Sequence, residues 1–215
     1  MSTFETRFLG SCLALAGLIA AIAMPFHPNE LAEGALLDSR WLPVHVGLLV
    51  AFTLSIPGLL GLWLVQRPLL ARWGHGAFFL ALVGCGLSVG MVALEVGAFP
   101  GIARTDPRPL MALMGPETPY WPSGLLFGTG FLTWIPGWMA VGVATATAGA
   151  FPRPLGVAIT VCSAAVAVPI HFVGGGGEFL HALTGGAFGA AWLAAGLATV
   201  RGAADEAARA HIRAA

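Results

Sequence analysis

Long apolar runs, broken by short clusters of Arg, Pro and acidic residues, dominate the chain. Six such runs cover residues 8–26, 43–66, 76–99, 123–150, 155–173 and 179–200. Each is about 19 residues or longer, the length that a helix rising about 1.5 Å per residue needs to cross a hydrocarbon layer of about 30 Å. The pattern predicts an all-α protein, a single integral membrane bundle of six transmembrane helices occupying residues 1–215. The first run competes with a cleavable signal peptide, because Ala21-Ile22-Ala23 resembles a small-residue cleavage site; an uncut helix is the expectation.

Breaks inside the runs shape the expected packing. Pro57, Pro136 and Pro169 fall within predicted spans, where each frees a carbonyl and kinks its helix, so neighbouring helices or hydroxyls must supply the lost bonds. Small residues four apart, Gly86/Gly90, Gly124/Gly128 and Gly185/Gly189, are expected to let backbones approach closely, within the bundle or against a membrane-protein partner or second copy. Glycine is also simply frequent in membrane helices, which explains any single pair equally well.

Composition agrees with lipid as the solvent. Hydrophobic residues make up 57% of the 215, charged residues only 9%, and mean hydropathy is +0.84; soluble domains carry about 25% charge. This composition excludes a cytosolic enzyme, a disordered chain and a nucleic-acid binder, the last also because the formal net charge is zero. Cys12, Cys85 and Cys162 each lie within an apolar run and read as small hydrophobes.

An even number of spans puts both termini on one side. That side collects Arg7, Arg67, Arg72, Arg153, Arg201, Arg209 and Arg213, leaving Arg40, Arg104 and Arg108 for the other. The positive-inside rule therefore predicts cytoplasmic termini. Two long connections, 27–42 and the proline-rich 100–122, then face outward, as a lid over the bundle or as a structural cap.

The same topology sorts the titratable groups. His27, His45, His171 and His181 all fall at outer helix ends, whereas His75 and His211 fall on the cytoplasmic side among arginines, where solvation suffices. Glu95 is the carboxylate set inside an apolar run. At that depth it is costly, so it should face the bundle and meet a partner, with His45, His181 and His171 at similar depth. Glu178 and His181 have the Glu-x-x-His spacing of di-iron bundles, but the further glutamates such sites need are missing. A single divalent transition metal held by His45, Glu95 and His181 suits the donor set. A b-type haem bound through His45, His171 or His181, with Gly174 to Gly177 passing close to the ligand, is the alternative. Simple capping of helix ends by histidine, and a four-glycine turn with no ligand, remain open beside both.

His27-Pro28, Trp41-Leu-Pro-Val-His45 and Ala150-Phe-Pro-Arg153 together resemble a diffuse group of small bacterial multi-pass membrane proteins of unknown function. The resemblance implies a helical bundle in a bacterial inner membrane and no particular activity. Four functions follow from the residues: a metal- or haem-binding, redox-associated protein; an enzyme using Glu95 with His45 or His181 as acid and base on an apolar substrate; a proton-coupled carrier; and an accessory subunit of a larger membrane complex. No Walker, Rossmann, zincin or hydrolase-elbow motif supports nucleotide chemistry or common hydrolysis.

Overall fold

The computed structural model describes residues 2–28, 35–105, 121–172 and 177–214, with side chains for all of these except 121–124, 168–178 and 203–214. The helices are α1 (Thr3–Ala23), α2 (Trp41–Gln66), α3 (Arg72–Gly97), the short α4 (Phe99–Thr105), α5 (Trp121–Ala148), α6 (Arg153–Phe172) and α7 (Gly177–Ala214). Among the described residues there is no strand. Five stretches, Thr3–Phe26, Trp41–Gln66, Arg72–Thr105, Leu125–Ala148 and Phe179–Gly202, are long and apolar enough to cross a membrane, and Arg153–Ala167 is a shorter apolar helix. The chain is a multi-pass, all-α membrane protein.

Local chemistry sets the helix ends. Ser2 opens α1 with a capping box: its Oγ accepts from the Glu5 N–H at 3.2 Å, while its own N–H donates to Glu5 Oε2 at 2.7 Å. After α5, Gly149 takes φ +77°, a left-handed conformation that ends a helix at little cost only for glycine. Pro154 then sits in the first turn of α6, where a missing N–H costs nothing. Helix α7 continues well past the apolar run that predicted it, to Ala214.

Around the bundle the order is α1, α2, α3, α5, α6, α7, and α7 packs back on α1 to close the ring. Sequential neighbours run antiparallel. Gly10 lies against Thr199 and Val200 while Gly17 lies against Gly189 and Leu193; Gly74 lies against Ala144 while Gly130 lies against Met91. One end of the ring therefore carries Arg7, Arg67, Arg72, Arg153 and Arg201, and the other carries Arg40 and Arg104. The centre is aromatic: Trp138 and Trp192 lie 4.6 Å apart, with Phe188 4.7 Å from Trp192 and Trp134 edge-on to Phe188 at 5.1 Å.

The closing seam is made of small residues. A methyl added at Gly17 would land on the Leu193 backbone, one at Gly189 on Ala21, and one at Gly196 on Ala14. Only glycine permits this backbone approach. The expected pairs fare differently. Gly185 and Gly189 do face α1, at Met24 and Ala21, whereas Gly86, Gly90 and Gly128 have nothing within contact range of an added Cβ. Gly86 and Gly90 lie on the exposed face of α3, so glycine spacing alone did not identify the seam. Gly124 lies among residues whose side chains are not described.

The proline expectation also needs adjustment. Pro57 and Pro136 sit inside α2 and α5, and hydroxyls lie near both. Thr53, Ser55 and Thr133, however, donate to the carbonyls of Leu49, Phe52, Thr129 and Gly130. The carbonyls that these prolines deprive of a donor are those four residues earlier, Thr53 and Leu132. The hydroxyls thus reinforce neighbouring turns instead of replacing the missing bonds. At the Arg40 end, the turn Ala35–Leu37 contributes to a small cluster in which Leu36 packs with Phe99, Ala103 and Phe127. Part of the first long connection therefore covers the bundle, as a lid or cap would. The second connection lies mostly outside the described residues.

Candidate functional site at the histidine-bearing end

Four elements that are contiguous around the ring deliver five side chains to the same end. Helix α1 finishes in a tight turn, Met24–Phe26, whose first carbonyl positions His27: the His27 N–H donates to Met24 O at 3.1 Å. Helix α2 begins with Trp41 and His45, one turn apart and therefore on one face. Both are almost completely buried, at 1% and 0% exposure. Glu95 lies in the last turn of α3, and His181 in the second turn of α7.

Their geometry is specific. The His45 ring stacks on Trp41 with centroids 4.0 Å apart and planes 18° apart. The His27 ring lies 4.8 Å from that of His45 and 5.1 Å from that of His181. Trp41 Nε1 donates to the Glu95 backbone carbonyl at 3.0 Å, tying α2 to α3 beside the site. Glu95 Oε2 lies 3.6 Å from His45 Nε2, beyond hydrogen-bond length but within ion-pair range.

Backbone carbonyls fix the histidine tautomers. His45 Nδ1 is 2.7 Å from Trp41 O, and His27 Nδ1 is 2.8 Å from Pro28 O. A carbonyl only accepts, so each Nδ1 carries the hydrogen and each neutral ring presents Nε2 as a lone pair. His27 lies just past the end of its span. Burial holds its pKa below the ordinary imidazole value, and the bond to Pro28 O acts in the opposite direction.

Of the residues expected from sequence, His45, Glu95 and His181 come together here. The side chains of His171 and Glu178, and residues 174–176 of the glycine run, lie outside those described. His27 and Trp41 complete the cluster beyond the expected set. Trp41 had a legible signal, its i, i+4 spacing from His45. His27 shared the right depth, but the turn that swings it inward has no sequence signature. Among the described residues, no group of three or more His, Cys, Asp or Glu side chains is already disposed to hold a metal ion.

The opposite end also buries polar groups. Gln66, fully buried, donates through Nε2 to Leu62 O and to Thr145 Oγ1, each at 3.2 Å. His75, expected to be merely solvated, accepts at Nδ1 from Trp63 Nε1 at 3.0 Å, and Arg67 lies 6.0 Å from the Trp63 ring. Cys12 and Cys85 are buried and all three cysteines are free thiols, as small hydrophobes would be.

No family model, curated protein or solved structure matches this chain.

Proposed function

We propose that the histidine-bearing end binds a divalent transition metal ion, with His45 and Glu95 as the first two ligands and His27 and His181 completing the set. The observation that carries this reading is the 3.6 Å separation of His45 Nε2 and Glu95 Oε2, with Nδ1 of His45 pinned to a carbonyl. Nitrogen and oxygen ligands each about 2.0–2.1 Å from one tetrahedral ion stand about 3.4 Å apart. Imidazoles on one ion likewise place their ring centres about 5 Å apart, matching the 4.8 and 5.1 Å observed. Pinning of Nδ1 by a carbonyl is the usual outer-shell support for a ligating histidine. With its Nδ1 kept on Pro28 O, His27 would offer Nε2 to the ion, and His181 would complete the set by turning its ring toward the same point.

The same contacts favour an ion over haem. A macrocycle on His45 Nε2 would need the space held by the Glu95 carboxylate, and the His27 ring stands close to both His45 and His181. Mixed imidazole and carboxylate donors suit zinc, copper, nickel or iron. The arginine bias between the two ends supports placing the site on the extracytoplasmic side of a bacterial inner membrane. Elemental analysis of purified protein tests the reading. About one equivalent of transition metal, lost in His45→Ala and Glu95→Ala, is the expected result; protein that neither retains nor rebinds metal overturns it.

A second reading rests on the pinned tautomer alone. A histidine fixed with Nε2 toward a carboxylate is suited to acid and base work on an apolar substrate reaching the site from lipid. Metal-free protein in the same experiment leaves this as the better account.

A further inference from the structure

Outside the cluster, the seam between α1 and α2 opens into a groove of about 410 Å³ on the lipid-facing side, lined by Ile19, Ile22, Phe26, Pro43 and Gly47 with Arg40 at its end. Its volume falls within the range of small-molecule sites. Ile22 and Phe26 are 60% and 59% exposed, so the walls face the membrane, where an acyl chain is the natural occupant. Gly47 gives the groove its depth. An added Cβ there would meet Ala23 and Ile19 at 3.6 Å, ordinary contact, so a longer side chain would fill the groove without prying the helices apart.

The mouth of the groove carries both signs of charge. Arg40 Nη2 lies 2.8 Å from Asp38 Oδ2, Nε lies 3.1 Å from Oδ1, and the Arg40 backbone N–H donates to Oδ1 at 2.8 Å. The guanidinium side chain is 53% exposed and the carboxylate 27%. These contacts hold the Asp38 carboxyl down at about 2, so it stays ionised. Arg40 also sits at the start of α2, where the helix dipole adds positive potential. A headgroup with a phosphate and an ammonium matches this pair, phosphate toward Arg40 and ammonium toward Asp38.

We infer that the α1–α2 groove is a binding site for one zwitterionic phospholipid, its acyl chain lying along Gly47 and its phosphoethanolamine headgroup on Arg40 and Asp38. The groove lies beside the histidine-bearing end, since Phe26 and Val44 line it and each immediately precedes one of the histidines in the chain. The inference does not depend on metal binding.

Native mass spectrometry of protein released from nanodiscs of equal parts phosphatidylethanolamine and phosphatidylglycerol tests it. The wild-type protein is expected to retain one phosphatidylethanolamine in preference to phosphatidylglycerol. Gly47→Leu should lower retention of that lipid, and Arg40→Gln should lower it about fivefold, the effect of losing one partly exposed charge contact. Asp38→Asn should shift the preference toward phosphatidylglycerol by removing the partner of the ammonium. Circular dichroism separates loss of lipid from loss of fold, and the two mouth variants decide the matter if Gly47→Leu does not fold. Equal retention of the two lipids by the wild type, or retention unchanged in all three variants, overturns the site and leaves an ordinary lipid annulus.

Discussion

Both ends of this bundle bury polar side chains, and they do so with different chemistry. At the arginine-rich end, Gln66 bridges α2 and α5 through an amide and a hydroxyl, neutral groups that do not titrate. At the histidine-bearing end, α1, α2, α3 and α7 deliver imidazoles and a carboxylate, and two rings are locked in one tautomer by backbone carbonyls. A tie between helices needs only the first kind of contact. Burying a carboxylate and several imidazoles is more costly in lipid than burying an amide. The difference is one of kind: the amide and hydroxyl tie two helices and change charge at no pH, whereas the second set of groups can take up or release a proton, the property on which the proposed function rests.

The largest effect that would sharpen this contrast is loss of a ligand. His45→Ala should lower transition-metal affinity by more than roughly 100-fold, beyond the 10- to 100-fold typical of outer-shell changes, as read by competition with a chromophoric chelator. Unchanged affinity would put the two ends on the same footing. Next comes Trp41→Phe, which keeps the aromatic stack but deletes the N–H that holds the Glu95 carbonyl. Affinity should fall about tenfold as an outer-shell effect, with helicity unchanged.

A smaller effect belongs to the opposite end. Gln66→Ala should cost roughly 0.6–1 kcal/mol of stability, the usual worth of a hydrogen bond between membrane helices, and leave metal affinity where it was. Coupled loss of metal would break the comparison by showing that the two ends communicate. The smallest effect is expected from His75→Ala. It removes an exposed acceptor from the half-buried Trp63 indole, worth less than about 0.5 kcal/mol in thermal unfolding and nothing in metal binding.

Most of the fold was legible because lipid imposes it. Apolar runs of sufficient length, separated by Arg and Pro, leave little choice but spanning helices, and the antiparallel packing of α1 on α7 brings Arg7 and Arg201 to one end. Depth along each helix was legible for the same reason, which is why His45, Glu95 and His181 could be placed at one level. Rotation about each helix axis was not. Hydrophobic faces and interior faces differ little in a membrane bundle, so nothing distinguished Gly189, which meets α1, from Gly90, which faces outward. His27 escaped because its orientation depends on the turn Met24–Phe26 and on a bond to Pro28 O, features set by the packed structure.

The seam that closes the ring joins the first span to the last. Gly17 and Ala21 wait for Gly189 and Leu193, roughly 170 residues later, which at ribosomal speeds of about 5–20 residues per second is roughly 10–35 s. Throughout that interval α1 exposes a flat, small-residue flank to the membrane and to any protein near the insertion channel. The assembled bundle hides that flank, so its exposure is a feature of the nascent chain that ends when α7 arrives.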